Sequence, residues 1–223
     1  MSFILNIETA TKNCSVSIAK NGETILCKEI AEEGYSHDEK LHVFIEDIVK
    51  EAAISMQDLV AIAVSQGPGS YTGLRIGVSA AKGLCFALDI PLIAIDTLQT
   101  LASKVNSKDG KIIPMLDARR MEVYSAIFNS NLEKERAVQA EIITENSFSD
   151  FEETLYFVGD CAEKCKPFLV KDNFIFLEDI KYPSAREMSK ISYEKYKISD
   201  TVDVAYFEPY YLKDFMMTTS SKK

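Results

Sequence analysis

Apolar residues follow two rhythms along this chain, and the rhythm changes mark its elements. FILNIET (3–9) is a short, mostly apolar run of strand length, and CSVSIAKNGETILCKEI (14–30) reads as two strands around Asn21-Gly22, the strongest short hairpin signal. From Asp38 to Ala53 the period becomes helical. Leu41, Phe44, Ile45, Ile48, Val49 and Ala52 fall on one stripe, with Glu46, Asp47 and Lys50 away from it. LVAIAVS (59–65) and PLIAID (91–96) are continuous apolar runs, as expected for strands buried on both faces. Between them a glycine loop opens a helix that runs to about Leu88. Three strands, a helix, a strand, a helix and a strand make an α/β layout, with antiparallel strands first and crossovers after.

The second half is less regular. IIPMLDARRMEVYSAIF (112–128) alternates as a hairpin turning near Ala118 to Arg120. YFVGD (156–160) and FIFLE (174–178) read as short strands, AREMSKISYEKYK (185–197) is amphipathic, and TTSSKK (218–223) reads as a frayed tail. No repeat period is visible. The polar stretch VNSKDGK (105–111) is the one clear interruption, which predicts a first lobe over 1–100 and a smaller second lobe over 101–223.

Charge narrows the partners. Acidic residues outnumber basic ones by 34 to 25, the net charge is −9, and no basic run is longer than a pair such as Lys222-Lys223. Phosphate neutralisation supplies most of the affinity for nucleic acid, so this surface is not that of a stand-alone RNA binder. No apolar run reaches the ~18 residues of a membrane span, and the amino terminus lacks a basic segment followed by an apolar one. Cys14, Cys27, Cys85, Cys161 and Cys165 are odd in number and scattered, as reduced thiols are. Together these predict a cytoplasmic protein with no membrane contact.

SQGPGSYTGLRIG (65–77) holds the densest chemistry. Five of the nine glycines lie between Gly67 and Gly83. One reading is an anion or nucleotide site: Gly67, Gly69, Ser70 and Thr72 sit between a strand and a helix N-terminus, where backbone N–H groups are free. The phosphate-loop signature needs a Lys-Ser/Thr pair at the helix start, and Tyr71-Thr72-Gly73 stands there instead. The other reading is close packing. Gly73, Gly77, Ala80, Ala81 and Leu84 recur at three- and four-residue spacing and give the helix a nearly bare face. A mid-helix glycine costs ~1 kcal/mol relative to alanine, so two of them need a reason such as close approach of another element. The residues leave open whether that element is the protein's own sheet or a second protein.

GPGSYTGLRIGVSAAKGLCFALDIPLIAIDTL, together with ILNIETATKNCSVSIAKNGE, DARRMEVYSAIF and EPYYLK (208–213), resembles the TsaB (YeaZ) family, over residues 3 to 213. The resemblance implies an actin-like, ribonuclease-H-like fold of two lobes (the ASKHA fold) with a reduced second lobe. It further implies a non-catalytic subunit of the bacterial machinery that makes N6-threonylcarbamoyladenosine at position 37 of tRNA. The partners it implies are a TsaD-like catalytic subunit, a TsaE-like ATPase reached through that pair, and tRNA only indirectly. TsaD-like proteins resemble this segment too, but carry a His-x-x-x-His metal pair where this sequence has Thr97 and Leu101. The two histidines present, His37 and His42, are five apart, a spacing that splays around a helix.

Nucleotide chemistry is thinned out in the same way. Kinases of the fold use glycine-bearing hairpins, yet ETATKNCSV has no glycine, LDARRMEV has none, and the adenosine region offers only Gly159 in VGDCAEK. Glu8 and Asp117 stand where metal-facing carboxylates could sit. The expectation is therefore a pseudo-enzyme with no catalytic residue, no metal and no cofactor. The alternative is a stand-alone ATP-dependent kinase or metallopeptidase of the same fold. The expected docking surface combines Leu41, Phe44, Ile45 and Ile48 with Gly73, Gly77, Ala80, Ala81 and Leu84. The same surface would pair two copies when the partner is absent, and Ala81→Arg is the substitution expected to block it.

Overall fold

The computed structural model describes residues 1–31, 37–119 and 122–212. The side chains of His37 and Asp38, the turn residue Arg120, Lys213 and the TTSSKK tail lie outside the described residues. In the first lobe, β1 (Phe3–Glu8), β2 (Cys14–Lys20) and β3 (Glu23–Ile30) form an antiparallel meander. β4 (Leu59–Gly67) and β5 (Leu92–Asp96) extend it in parallel, giving the order β3-β2-β1-β4-β5. Strand alternation sends neighbours to opposite faces. Leu5, Ile7, Val16 and Ile18 pack beneath α1 (His37–Glu51) and α2 (Tyr71–Leu88), while Ile4, Ala19, Ala61 and Ala63 pack beneath α5 (Ala185–Lys197). Both faces are covered, which is why β4 and β5 read as unbroken apolar runs.

The second lobe repeats this plan. β6 (Lys111–Asp117), β7 (Glu122–Asn129) and β8 (Lys134–Ile142) are antiparallel, β9 (Leu155–Val158) and β10 (Phe174–Phe176) add in parallel, and the order is β8-β7-β6-β9-β10. The topology is duplicated although the sequence shows no repeat, because an alternating apolar pattern is all that such a sheet requires of its residues. The lobe is indeed reduced. Turns over 143–151 replace the counterpart of α1, and α4 (Ala162–Cys165) is four residues long where α2 has 18. Sequence patterning missed β8, whose Lys134, Glu135, Arg136, Gln139 and Glu141 make it polar; its pairing along β7 builds it.

One boundary needs correction. A single cut at residue 100 separates the two sheets but places α5 and everything after it in the second lobe. By packing, α5 lies on the first sheet, and residues 202–212 run back along α2. The amphipathic stripe of α5 was legible; which sheet it covers was not. Between the lobes sits α3 (Thr97–Ala102), whose Leu98, Leu101 and Ala102 join Ile112, Leu116, Ala126, Phe128 and Val158 of the second sheet in one cluster. Among the described residues no helix is long and apolar enough to cross a membrane.

Candidate docking surface

The glycine loop is filled from inside. Ser70 N donates to Ala10 O at 2.6 Å, Gly67 N donates to Thr97 Oγ1 at 3.2 Å, and Gly73 N is capped by Ser70 Oγ at 3.3 Å. Gly69 abuts the Ala10 carbonyl, and Gly73 and Gly77 abut Thr9, whose hydroxyl donates to Gly73 O at 2.8 Å. Of the N–H groups that the anion reading of Gly67, Gly69, Ser70 and Thr72 would draw on, those of Gly67 and Ser70 already have acceptors, as does that of Gly73 behind them; Thr72 is exposed. Gly67 has a further reason to be glycine. Its φ is +113°, and a β-carbon there would lie 2.7 Å from the Tyr210 carbonyl oxygen.

The expected docking residues divide by burial. Leu41, Ile45, Ile48 and Ala81 belong to the core beneath α1 and α2, and Gly73 and Gly77 face the β1–β2 turn. These six are internal, so the expectation is corrected for them: their small or apolar faces are covered by the chain itself. Phe44, Ala80 and Leu84 are half-buried at the edge of that core. What reaches solvent is a different set. Val43 on α1 is 50% exposed and Phe86 on α2 is 85% exposed. Both fall off the buried stripes of their helices, and an apolar residue off the stripe is the signal by which sequence reasoning could have found them. Gly83, one turn before Phe86, has nothing among the described residues within 4 Å of where a β-carbon would sit.

The C-terminal segment supplies the other wall. Lys82 Nζ donates to Ala205 O and Phe207 O, both at 3.0 Å, and Tyr210 N donates to Gln66 O at 2.7 Å. Arg75 lies 3.9 Å over the Tyr71 ring and donates from Nε to the Tyr211 hydroxyl at 3.2 Å. The strap so held runs antiparallel to α2. An apolar groove of about 600 Å³ opens between them, lined by Lys82, Gly83, Phe86, Asp203, Val204 and Ala205, with Tyr206 85% exposed beside it.

The positions tied to catalysis are occupied otherwise. Thr97 is buried with its oxygen on Gly67 N, and Leu101 is buried in the interlobe cluster. Glu8 is fully buried; one oxygen accepts from Ala10 N at 2.6 Å, and burial pushes its carboxyl up to about 7. Asp117 is exposed and paired with Lys164 at 2.6 Å, and its N–H donates to Asp160. Burial pushes Cys14 up to about 11 and Cys85 to about 12, so neither is a ready nucleophile. His42 is exposed on α1, and among the described residues no three His, Cys, Asp or Glu side chains converge.

Two sheets of one topology, joined by a buried helix and bearing an apolar surface on α2, make this a two-lobed, actin-like α/β protein. The family described as TsaD, tRNA N6-adenosine threonylcarbamoyltransferase, matches residues 29–214. The tRNA threonylcarbamoyladenosine biosynthesis protein TsaB of Escherichia coli (strain K12) is 31% identical over 222 residues, covering 95% of this chain and 94% of its own. The tRNA N6-adenosine threonylcarbamoyltransferase of Bacillus thuringiensis (strain Al Hakam) is 38% identical, but over only 109 residues, 42% of this chain and 32% of its own. The solved structure of YeaZ from Pseudomonas aeruginosa shares the fold, with a TM-score of 0.83 at 23% identity, covering 95% of this chain and 100% of that one. The chain belongs to the TsaB (YeaZ) family of tRNA threonylcarbamoyladenosine biosynthesis proteins.

Proposed function

We propose that this protein is a non-catalytic scaffold subunit in threonylcarbamoyladenosine synthesis, and that it docks a TsaD-like catalytic subunit on the outer flank of α2 with the adjoining edge of α1. One observation carries the reading: Phe86, 85% exposed, stands beside Gly83, which is open to solvent. The helical cost of Gly83, ~1 kcal/mol, is offset by no contact among the described residues, whereas Gly73 and Gly77 are each required by Thr9. A second protein approaching the helix backbone accounts for both features, and exposed aromatics beside a groove are the usual anchors of such contacts. Val43, Phe44, Ala80 and Leu84 extend the surface toward α1.

In this reading a TsaE-like ATPase joins through the assembled pair, and tRNA is met only there, in the cytoplasm. The same surface pairs two copies of the chain when the partner is missing, so the two associations exclude each other. Thr97 and Leu101, both buried and both engaged, support the non-catalytic half of the proposal. The test is capture of the TsaD-like subunit from the same cell. Phe86→Asp and Gly83→Gln should each weaken capture at least tenfold while leaving the melting temperature within a few degrees of the parent, and the lone parent chain should transfer no threonylcarbamoyl group. Unchanged capture by both folded variants would move the interface elsewhere.

A further inference from the structure

Among the described residues the chain crosses between the lobes twice, and both crossings are pinned. On the outward crossing, Asp96 caps α3 with one oxygen, accepting from Leu98 N at 2.7 Å and Gln99 N at 3.0 Å, and its other oxygen pairs with Lys134 of β8 in the second lobe. Five of the six residues of α3 are buried, Gln99 being half-buried. Thr97 reaches back to Gly67 of the first lobe, while Leu98 and Leu101 pack into the second. On the return crossing, Asn13 Nδ2 donates to Pro183 O at 2.9 Å and Ala185 N donates to Ser15 Oγ at 2.9 Å. Lys104 Nζ then donates to Tyr182 O at 3.0 Å and ties the two crossings to each other.

A hinge works differently. It is a few loop or element-terminal residues free to absorb a large change in φ and ψ when the lobes close. Here any such change breaks a helix cap, an ion pair and several buried contacts together. We infer that the junction is a fixed joint: the two lobes move as one body and keep one separation whether or not a nucleotide is present. Protein cores switch between discrete packings rather than bending continuously, and the described residues at both crossings are tied by the cap, ion pair and hydrogen bonds above.

Native-state hydrogen exchange on the full chain tests this, because local opening and global unfolding leave different protection. The amides of Leu101 and Ala102 should exchange in the slowest class, with those of β1 and β6. Removing the return ties in Asn13→Ala/Lys104→Met should cut α3 protection at least tenfold. Spin labels at Gln57 and Glu152, both exposed and one in each lobe, should report a single distance that magnesium-ATP leaves unchanged. Exchange of the α3 amides ahead of the two sheets, or a second distance on adding nucleotide, overturns the inference.

Discussion

Thr9 and Gly77 touch: the Thr9 hydroxyl occupies the space that a β-carbon on Gly77 would need. The hydroxyl is also held by its bond to Gly73 O at 2.8 Å, so it cannot swing aside without losing that bond. The bare face of α2 thus belongs to the β1–β2 turn. Gly77→Ala should lower stability by about 1–2 kcal/mol, since overpacking outweighs the helix-propensity gain of ~1 kcal/mol. Gly83→Ala, facing open space, should raise it by roughly 0.5–1 kcal/mol. Urea midpoints of the two variants check the contrast; a Gly77→Ala protein as stable as the parent would refute it.

The apolar stripe of α1 is core, and the exposed surface is not. Leu41→Ala should destabilise by about 2–4 kcal/mol, the range for a buried leucine that leaves a cavity. Ala81→Arg puts a charge at a fully buried position and should prevent folding rather than block docking. Phe86→Asp should change stability by no more than about 0.5 kcal/mol. Circular dichroism melts of the three variants rank them, and a Phe86→Asp protein as unstable as Leu41→Ala would place Phe86 in the fold.

Glu8 should make stability fall with pH. Burial raises its carboxyl from 4.5 to about 7, against the opposing hydrogen bond from Ala10 N. The folded protein therefore keeps a proton that the unfolded chain releases near pH 4.5. This contribution is complete below about 4.5 and is lost as pH rises through 7, an effect on the order of 3 kcal/mol. Glu8→Gln keeps an acceptor for Ala10 N and has no proton to lose. Its melting temperature should decline less between pH 5 and 8 than the parent's; equal slopes would assign the proton to another acid such as the half-buried Glu187, whose carboxyl burial also raises.

Lys82 holds the strap by two backbone carbonyls, while Asp203 Oδ1 accepts from Ala205 N at 2.8 Å and Tyr206 N at 3.0 Å within it. Lys82→Met should leave the global melt nearly unchanged, costing about 1–2 kcal/mol at most. It should speed exchange of the Ala205, Tyr206 and Phe207 amides severalfold. Parent-like exchange at all three would show that the Val202 bridge to Leu92 and the Tyr210 bond suffice to hold the segment.

Local pattern determined much of this protein. The meander of β1 to β3, the buried runs of β4 and β5, and the stripes of α1 and α5 were all legible, because period two and period 3.6 state which face of an element avoids water. So was the family, through the glycine segment. Only tertiary structure decided what covers each face. Thr9 and Ala10, more than fifty residues before the helix they meet, fill the bare side of α2; α5 returns to the first sheet; and β8 forms on polar residues because β7 offers it an edge. Phe86, off the buried stripe of α2, was a hint in the sequence, but only the fold shows that nothing described covers it. An apolar side chain looks alike in sequence whether the chain covers it or leaves it bare, since burial is set by residues brought together from distant positions.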